Sequence, residues 1–173
     1  MLDSTTPANL TLMRTENSVV IDAPLAHIFD LAAHVERWPD IMPHYRSITL
    51  LRAQGDVRLC RMVATRTGFP FPFQWASVEE IDRSQHAIRF RQVRGITRGM
   101  RVEWTMEPAP GGVRVRVTHA FDPPWPAPLG PLVAQHIIGD LFVHGIAAET
   151  LQRIKVAAEA SARAPVQGRQ GLP

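Results

Sequence analysis

From residue 100 onward the chain alternates. Met100, Val102, Trp104 and Met106 hold one parity, and Arg101, Glu103, Thr105 and Glu107 hold the other. Val113, Val115, Val117, His119 and Phe121 then alternate with Arg114, Arg116 and Thr118. A period of two with one apolar side marks a strand in a sheet covered on one face. The same pattern predicts strands over roughly 45–53, 56–66, 71–82, 86–94, 100–108 and 112–121, with the β-branched "NSVVID" (17–22) ahead of them. The separators "QGD", "TGFP", "DRSQ", "RGITRG" and "PAPGG" are turn chemistries. Connections that short join antiparallel neighbours, so the strands form a meander.

Two stretches carry the helical period instead. After Asp22, a candidate cap, Pro24 suits a first turn, and Leu25, Ile28, Phe29 and Ala32 share one face. Pro39 and Pro43 bound a turn-length helix carrying Trp38, Ile41 and Met42. A proline-rich loop, "DPPWPAPLGP", precedes a long helix predicted over about 129–158. Gly139 and Gly145 weaken that helix by roughly 1 kcal/mol each relative to alanine, and can serve a close approach or a bend.

Polar residues interrupt the apolar faces. Phe71, Phe73 and Trp75 continue to Ser77 and Glu79, Ile88 and Phe90 continue to Gln92, and the valines of the last strand run into His119. A one-residue bulge would turn Ser77 and Glu79 outward. On the long helix, His136, Asp140 and His144 recur every fourth residue, in a slanted row with Leu129, Val133, Ala147, Leu151 and Ile154. Buried and unpaired, such groups would each cost several kcal/mol. A partly hydrated cavity between helix and sheet removes most of that penalty, and an apolar pocket with a few convergent polar groups is the usual form of a small-molecule site. Three readings of the row stand: a hydrated polar patch, an acid–base set with Asp140 orienting a histidine, or metal chelation at His-x₃-His spacing. The last needs partners such as Glu79 and His119, because three ligands over two helical turns span roughly 12 Å.

Composition narrows the class. One domain accounts for 173 residues, 45% of them hydrophobic and 20% charged. The excess of 19 Lys plus Arg over 16 Asp plus Glu is small, and the arginines sit at alternate strand positions such as Arg89/Arg91 and Arg114/Arg116. That describes a solvated sheet face and not a nucleic-acid surface. One cysteine, Cys60, excludes an internal disulfide and fits a cytoplasmic protein. No signal peptide and no membrane span is read. No phosphate loop, Rossmann glycine pattern, nucleophile elbow or four-cysteine zinc pattern occurs, which excludes nucleotide-driven and hydrolase motifs of those kinds. The apolar helix side bearing Ile138, Phe142 and Ile146 allows a homodimer as well as a monomer.

The order of strand, two short helices, six antiparallel strands, proline-rich loop and long helix resembles the α+β helix-grip fold of the START-like superfamily. That fold is a seven-stranded curved antiparallel sheet wrapped around a C-terminal helix. "RTENSVVIDAP", "VERWPDIMPHYRSITLL", "FQWASVEEID", "VRVTHAFDPP" and "ETLQRIKVAAE" are similar to the polyketide cyclase/dehydrase group, and most of all to bacterial aromatic polyketide aromatase/cyclases. The resemblance covers residues 14–158, with 1–13 and 159–173 as flexible tails. It implies a cofactor-independent enzyme whose cavity folds a poly-β-ketone, delivered by an acyl carrier protein, through aldol cyclisation and dehydration. The alternative is a binder or transporter of a hydrophobic lipid, quinone or fatty acyl chain. The family's functional Tyr and Ser match Tyr45 and Ser77, and its Arg position is Glu79 here, with Arg61 and Arg66 as substitute cations. The catalytic candidates are therefore His136, Asp140, His144, Glu79, Tyr45 and Ser77. The ligand-binding candidates are Phe71, Phe73, Trp75, Phe90, Gln92, Trp104, Met106, His119 and Trp125.

Overall fold

The alternating segments assemble into one antiparallel sheet in the order β1-β7-β6-β5-β4-β3-β2. The structure, a computed structural model, describes residues 13–66, 70–122 and 145–163. The strands are β1 (Met13–Ile21), β2 (Tyr45–Gln54), β3 (Val57–Ala64), β4 (Phe73–Asp82), β5 (Ala87–Arg94), β6 (Arg101–Ala109) and β7 (Gly112–Phe121). Between the two edge strands run α1 (Leu25–Ala33), a 3₁₀ turn (Val35–Arg37) and the four-residue α2 (Trp38–Ile41). The C-terminal helix α3 spans Ala148–Arg163 and is entered through a wider π-type turn at residues 145–147. This is the seven-stranded helix-grip arrangement the pattern predicted.

Parity sorts the two faces as expected. Val102, Trp104 and Met106 of β6 and Val113, Val115 and Val117 of β7 are buried against the helices. On the outer face the arginines pair across strands, Arg89 with Glu103 and Arg116 with Glu16 and Glu107. The core lies between the inner sheet face, the buried side of α1 (Ile28, Phe29, Ala32, Ala33) and the residues Leu151, Ile154 and Ala158 of α3.

Four details depart from the expectation. β1 begins at Met13 and pairs with β7 in unbroken register from Met13↔Phe121 to Ile21↔Val113. Its inward positions Thr15 and Asn17 are polar, so hydropathy did not reveal the strand's first half. Asp22 does not cap α1: Pro24 holds the cap position without a side-chain cap, and the Asp22 N–H donates to Glu159 Oε1 at 3.1 Å. That contact also explains why α3 runs on to Arg163, past the predicted end at 158. Glu159 pairs with Lys155 at 3.0 Å, and Lys155 Nζ donates to the Val20 carbonyl. The last turns of α3 are thus tied to the β1–α1 junction. Finally, Phe71 lies ahead of β4 and is 69% exposed, because the pairing that sets inward parity begins only at Phe73. The proline-rich loop and residues 129–144 of the predicted long helix lie outside the described residues.

Candidate functional site

The bulge that threatened Ser77 and Glu79 is present, but it falls on β5. Ala76 pairs with Arg94 and Ser77 with Gln92, so Val93 is the extra residue and β4 keeps its parity. Gly95, at φ +99°, follows the bulge, and a side chain there would lie 2.7 Å from the Gln74 carbonyl. Trp75, Ser77 and Glu79 therefore all remain buried on the inner face.

Beneath α2 and the start of α3 the inner face is hollow. The cavity holds about 510 Å³ of atom-free space, its open mouth included. Its walls are mostly aromatic and thioether side chains: Trp38, Trp75, Phe90, Trp104, Met62 and Met100, closed by Val102, Val117, Ile146 and Ala147. Tyr45, Ser77, Gln92, His119 and Thr150 supply the polar groups. Trp38 organises the aromatic wall. Its ring lies 5.3 Å from Tyr45, 5.8 Å from Trp104 and 6.5 Å from Phe90, and its indole N–H donates to the Leu31 carbonyl at 3.1 Å. Such tilted aromatic pairs give a rigid, flat-sided lining.

Each polar group has its own environment. Tyr45 is buried, and desolvation pushes its hydroxyl up to about 12, opposed by the hydrogen bond with Thr150, so it keeps its proton near neutral pH. His119 is 6% exposed and burial pushes it down to about 4, so its imidazole is neutral. Its Nδ1 has no hydrogen-bond partner among the described residues. Gln92 is occupied locally: its amide oxygen accepts from Thr97, and its nitrogen meets Met100 Sδ at 3.7 Å. It holds the β5–β6 turn that forms one wall.

Of the residues singled out in the sequence, Tyr45, Ser77, Trp75, Phe90, Gln92, Trp104 and His119 line this one cavity. Met106 is buried in the core and Phe73 packs against it, neither among the cavity residues. Glu79 is 0% exposed and also stands apart from the cavity. It faces Arg58, its register partner on β3, with Nε 2.8 Å from Oε2. Arg58 also donates to the Ala33 carbonyl and reaches Glu36 at 3.4 Å. Burial raises the Glu79 carboxyl to about 7, with Arg58 opposing, and the buried Cys60 thiol, 3.9 Å away, is raised to about 12 by desolvation. The cation that meets Glu79 is thus Arg58, and the pair pins the end of α1 to the sheet.

Arg61 and Arg66 go different ways. Arg61 is exposed on the outer face. Arg66 continues the inward parity of Met62 and Ala64, and its side chain lies where a Cβ on Gly145 would be, 2.7 Å from Nε. Gly145 thus marks the close approach foreseen for it. His136, Asp140, His144 and Trp125 lie outside the described residues. Among the described residues no three His, Cys, Asp or Glu side chains are grouped to hold a metal ion, and no helix is long and apolar enough to cross a membrane.

Sequence reasoning missed Trp38, Met62, Met100 and Thr150 as wall residues, and His44 behind them. Thr150 stands three residues after Ala147 on the helix, a spacing that could have placed it beside the inward row. His44 precedes its strand, where parity gives no guide.

Residues 21–141 match the family described as polyketide cyclase / dehydrase and lipid transport. A Streptomyces halstedii protein carrying a polyketide cyclase name is 32% identical over 103 residues, 59% of this chain and 94% of its own length. The Zhui aromatase/cyclase from Streptomyces sp. R1128 superposes with a TM-score of 0.77 at 20% identity, covering 88% of this chain and 97% of that one. A START superfamily protein from Mycobacterium smegmatis superposes with a TM-score of 0.61 at 18% identity, covering 86% and 96%.

Proposed function

The chain belongs to the polyketide cyclase/dehydrase and lipid transport family, and from that premise we propose that it is a cofactor-independent cyclase/aromatase acting on a poly-β-ketone. The observation that carries the reading is the cavity itself, whose flat aromatic walls surround a small set of proton-bearing groups. A flexible polyketone folded against Trp38, Trp75, Phe90 and Trp104 has few conformers left, and positioning of this kind supplies a large part of a cyclisation rate. The Ser77 hydroxyl donates a hydrogen bond to a substrate carbonyl and stabilises the developing enolate oxygen, while Tyr45 presents a second hydroxyl, protonated near neutral pH, to the bound ketone. His119, neutral and facing the cavity, accepts or returns a proton as the aldol product loses water. The sequence adds His136, Asp140 and His144 to the acid–base candidates, with an acyl carrier protein delivering the chain.

The test is product analysis in a reconstituted system of ketosynthase and acyl carrier protein that releases poly-β-ketones. Adding this protein is expected to move the products from a spontaneous mixture to one aromatic ring pattern, read by liquid chromatography and mass spectrometry. Tyr45→Phe, Ser77→Ala and the pair His136→Ala/His144→Ala are each expected to slow that conversion, by about 10²–10⁴-fold where the essential base is lost. An unchanged product mixture, together with native mass spectrometry showing a stoichiometric unmodified lipid or quinone, would assign the cavity to binding instead.

A further inference from the structure

Behind the cavity wall, where β2 begins against α3, one imidazole joins two wall hydroxyls to the surface. His44 Nε2 lies 3.0 Å from Thr150 Oγ1, and Thr150 Oγ1 lies 3.4 Å from the Tyr45 hydroxyl. The His44 and Tyr45 ring centroids lie 4.6 Å apart, the planes tilted by 44°. Thr150 and Tyr45 line the cavity and His44 does not. On its other side His44 Nδ1 is 3.5 Å from Glu149 Oε1, a half-exposed carboxylate that also meets Arg153 at 3.6 Å. Among the described residues, the titratable or charged groups that face this imidazole are Glu149 and Arg153 from α3 and Tyr45 at the start of β2. His44 is itself buried. The buried imidazole thus lies between two buried hydroxyls and a half-exposed carboxylate, with Nδ1 facing Glu149 at 3.5 Å without a hydrogen bond among the described residues.

We propose that His44 is a proton-relay residue of this cavity, exchanging protons with a bound ketone through Thr150 and Tyr45 and with solvent beside Glu149. The proposal rests on the ketone chemistry argued above and adds a residue to it. Tyr45 and Thr150 stand at the cavity, and His44 acts through them. In the forward step an α-carbon of the ketone gives its proton to the Tyr45 oxygen, Tyr45 passes its own to Thr150 Oγ1, and Thr150 passes its own to His44 Nε2. The electron pair of the broken C–H bond becomes the enolate, both hydroxyls end neutral, and His44 becomes an imidazolium facing Glu149. The returning proton travels the same path to the β-hydroxyl of the aldol product. That group leaves as water while the enolate pair forms the carbon–carbon double bond. For the transfer, the Thr150 proton turns from the Ile146 carbonyl, which it meets at 2.7 Å, toward Nε2. Burial lowers the His44 pKa, which keeps the accepting form at neutral pH, and Glu149 opposes that shift.

The test follows α-hydrogen exchange of 2-tetralone in D₂O by NMR, with the full-length protein and its His44→Gln, Thr150→Val and Glu149→Gln variants. Binding is read separately from tryptophan fluorescence. His44→Gln and Thr150→Val are each expected to slow exchange by about 10²-fold or more, with the tetralone Kd held within roughly 3-fold. Thr150→Val removes one hydroxyl at constant shape, so it reports even if His44→Gln folds poorly. Glu149→Gln, at the surface, is expected to shift the acidic limb of the exchange profile to lower pH, because the carboxylate that raises the His44 pKa is gone. A purely structural role would leave that limb in place. Exchange that survives both His44→Gln and Thr150→Val, or an acidic limb unmoved in Glu149→Gln, overturns the relay alone. A wild-type protein that binds tetralone without accelerating exchange overturns the relay and the ketone chemistry together.

Discussion

A buried imidazole and a buried carboxyl pull stability in opposite directions as pH changes. His119 is lowered from an ordinary 6.5 to about 4. Its contribution is present above pH 6.5 and is lost as pH falls through about 4, because only the unfolded chain takes up the proton readily in that window. Glu79 is raised from 4.5 to about 7. Its contribution is present below pH 4.5 and is lost as pH rises through about 7. Each shift corresponds to a change on the order of 3 kcal/mol. Urea unfolding of His119→Leu is therefore expected to gain stability relative to wild type as pH falls from 6.5 to 4. Glu79→Gln is expected to gain relative to wild type as pH rises from 5 to 8. If either difference stays flat across its window, the burial assigned to that group is wrong. Removing the other partner acts differently: Arg58→Met leaves Glu79 buried without its cation, and breaking a buried pair in this way costs about 3–5 kcal/mol.

At the scale of elements, the site depends on how strands turn and where they bulge. β7 starts at Gly112, whose φ is +137° and whose added Cβ would collide with the Ile21 carbonyl on β1. Gly112→Ala must move that backbone as well as adopt a conformation closed to L-residues. The expected loss is on the order of 1–3 kcal/mol, read as a lower Tm with the folded-state circular dichroism unchanged. The strand periods were legible because Val102, Trp104, Met106 and the β7 valines alternate strictly with charged residues and threonines. The bulge at Val93 was not, since nothing in "FRQVRG" distinguishes an extra residue from a regular one. It matters because a bulge on β4 would have turned Ser77 out of the cavity, whereas on β5 it leaves Ser77 in. β2 likewise contains two register shifts, after Tyr45 and after Leu50. Irregular pairing of that kind blunts an edge strand against pairing with another chain.

For the whole molecule, the cavity is bounded on the helix side by the π-type turn at residues 145–147, with Ile146 and Ala147 against the hollow. Ala147→Leu fills part of that space. It is expected to weaken 2-tetralone binding by about 10-fold or more, on the scale of a lost guest contact of roughly 1.4 kcal/mol, while Tm stays within a few degrees. Tryptophan quenching and thermal melts check both halves, and undiminished binding would place the guest elsewhere. The sequence alone determined the strand count, the antiparallel pairing of successive strands and the inward parity of Trp75, Phe90, Trp104 and His119, and its quoted stretches carried the resemblance to the helix-grip cyclases. The strands and their parity follow from local periodicity and short turns, which a single chain segment carries within itself. Only the tertiary structure decided that Arg58 and not Arg61 or Arg66 meets Glu79, that Trp38 anchors the aromatic wall, and that His44 and Thr150 stand behind Tyr45. Such contacts join residues far apart in the chain, and their geometry is set by the register of paired strands and the path of a helix across them, which no local pattern records.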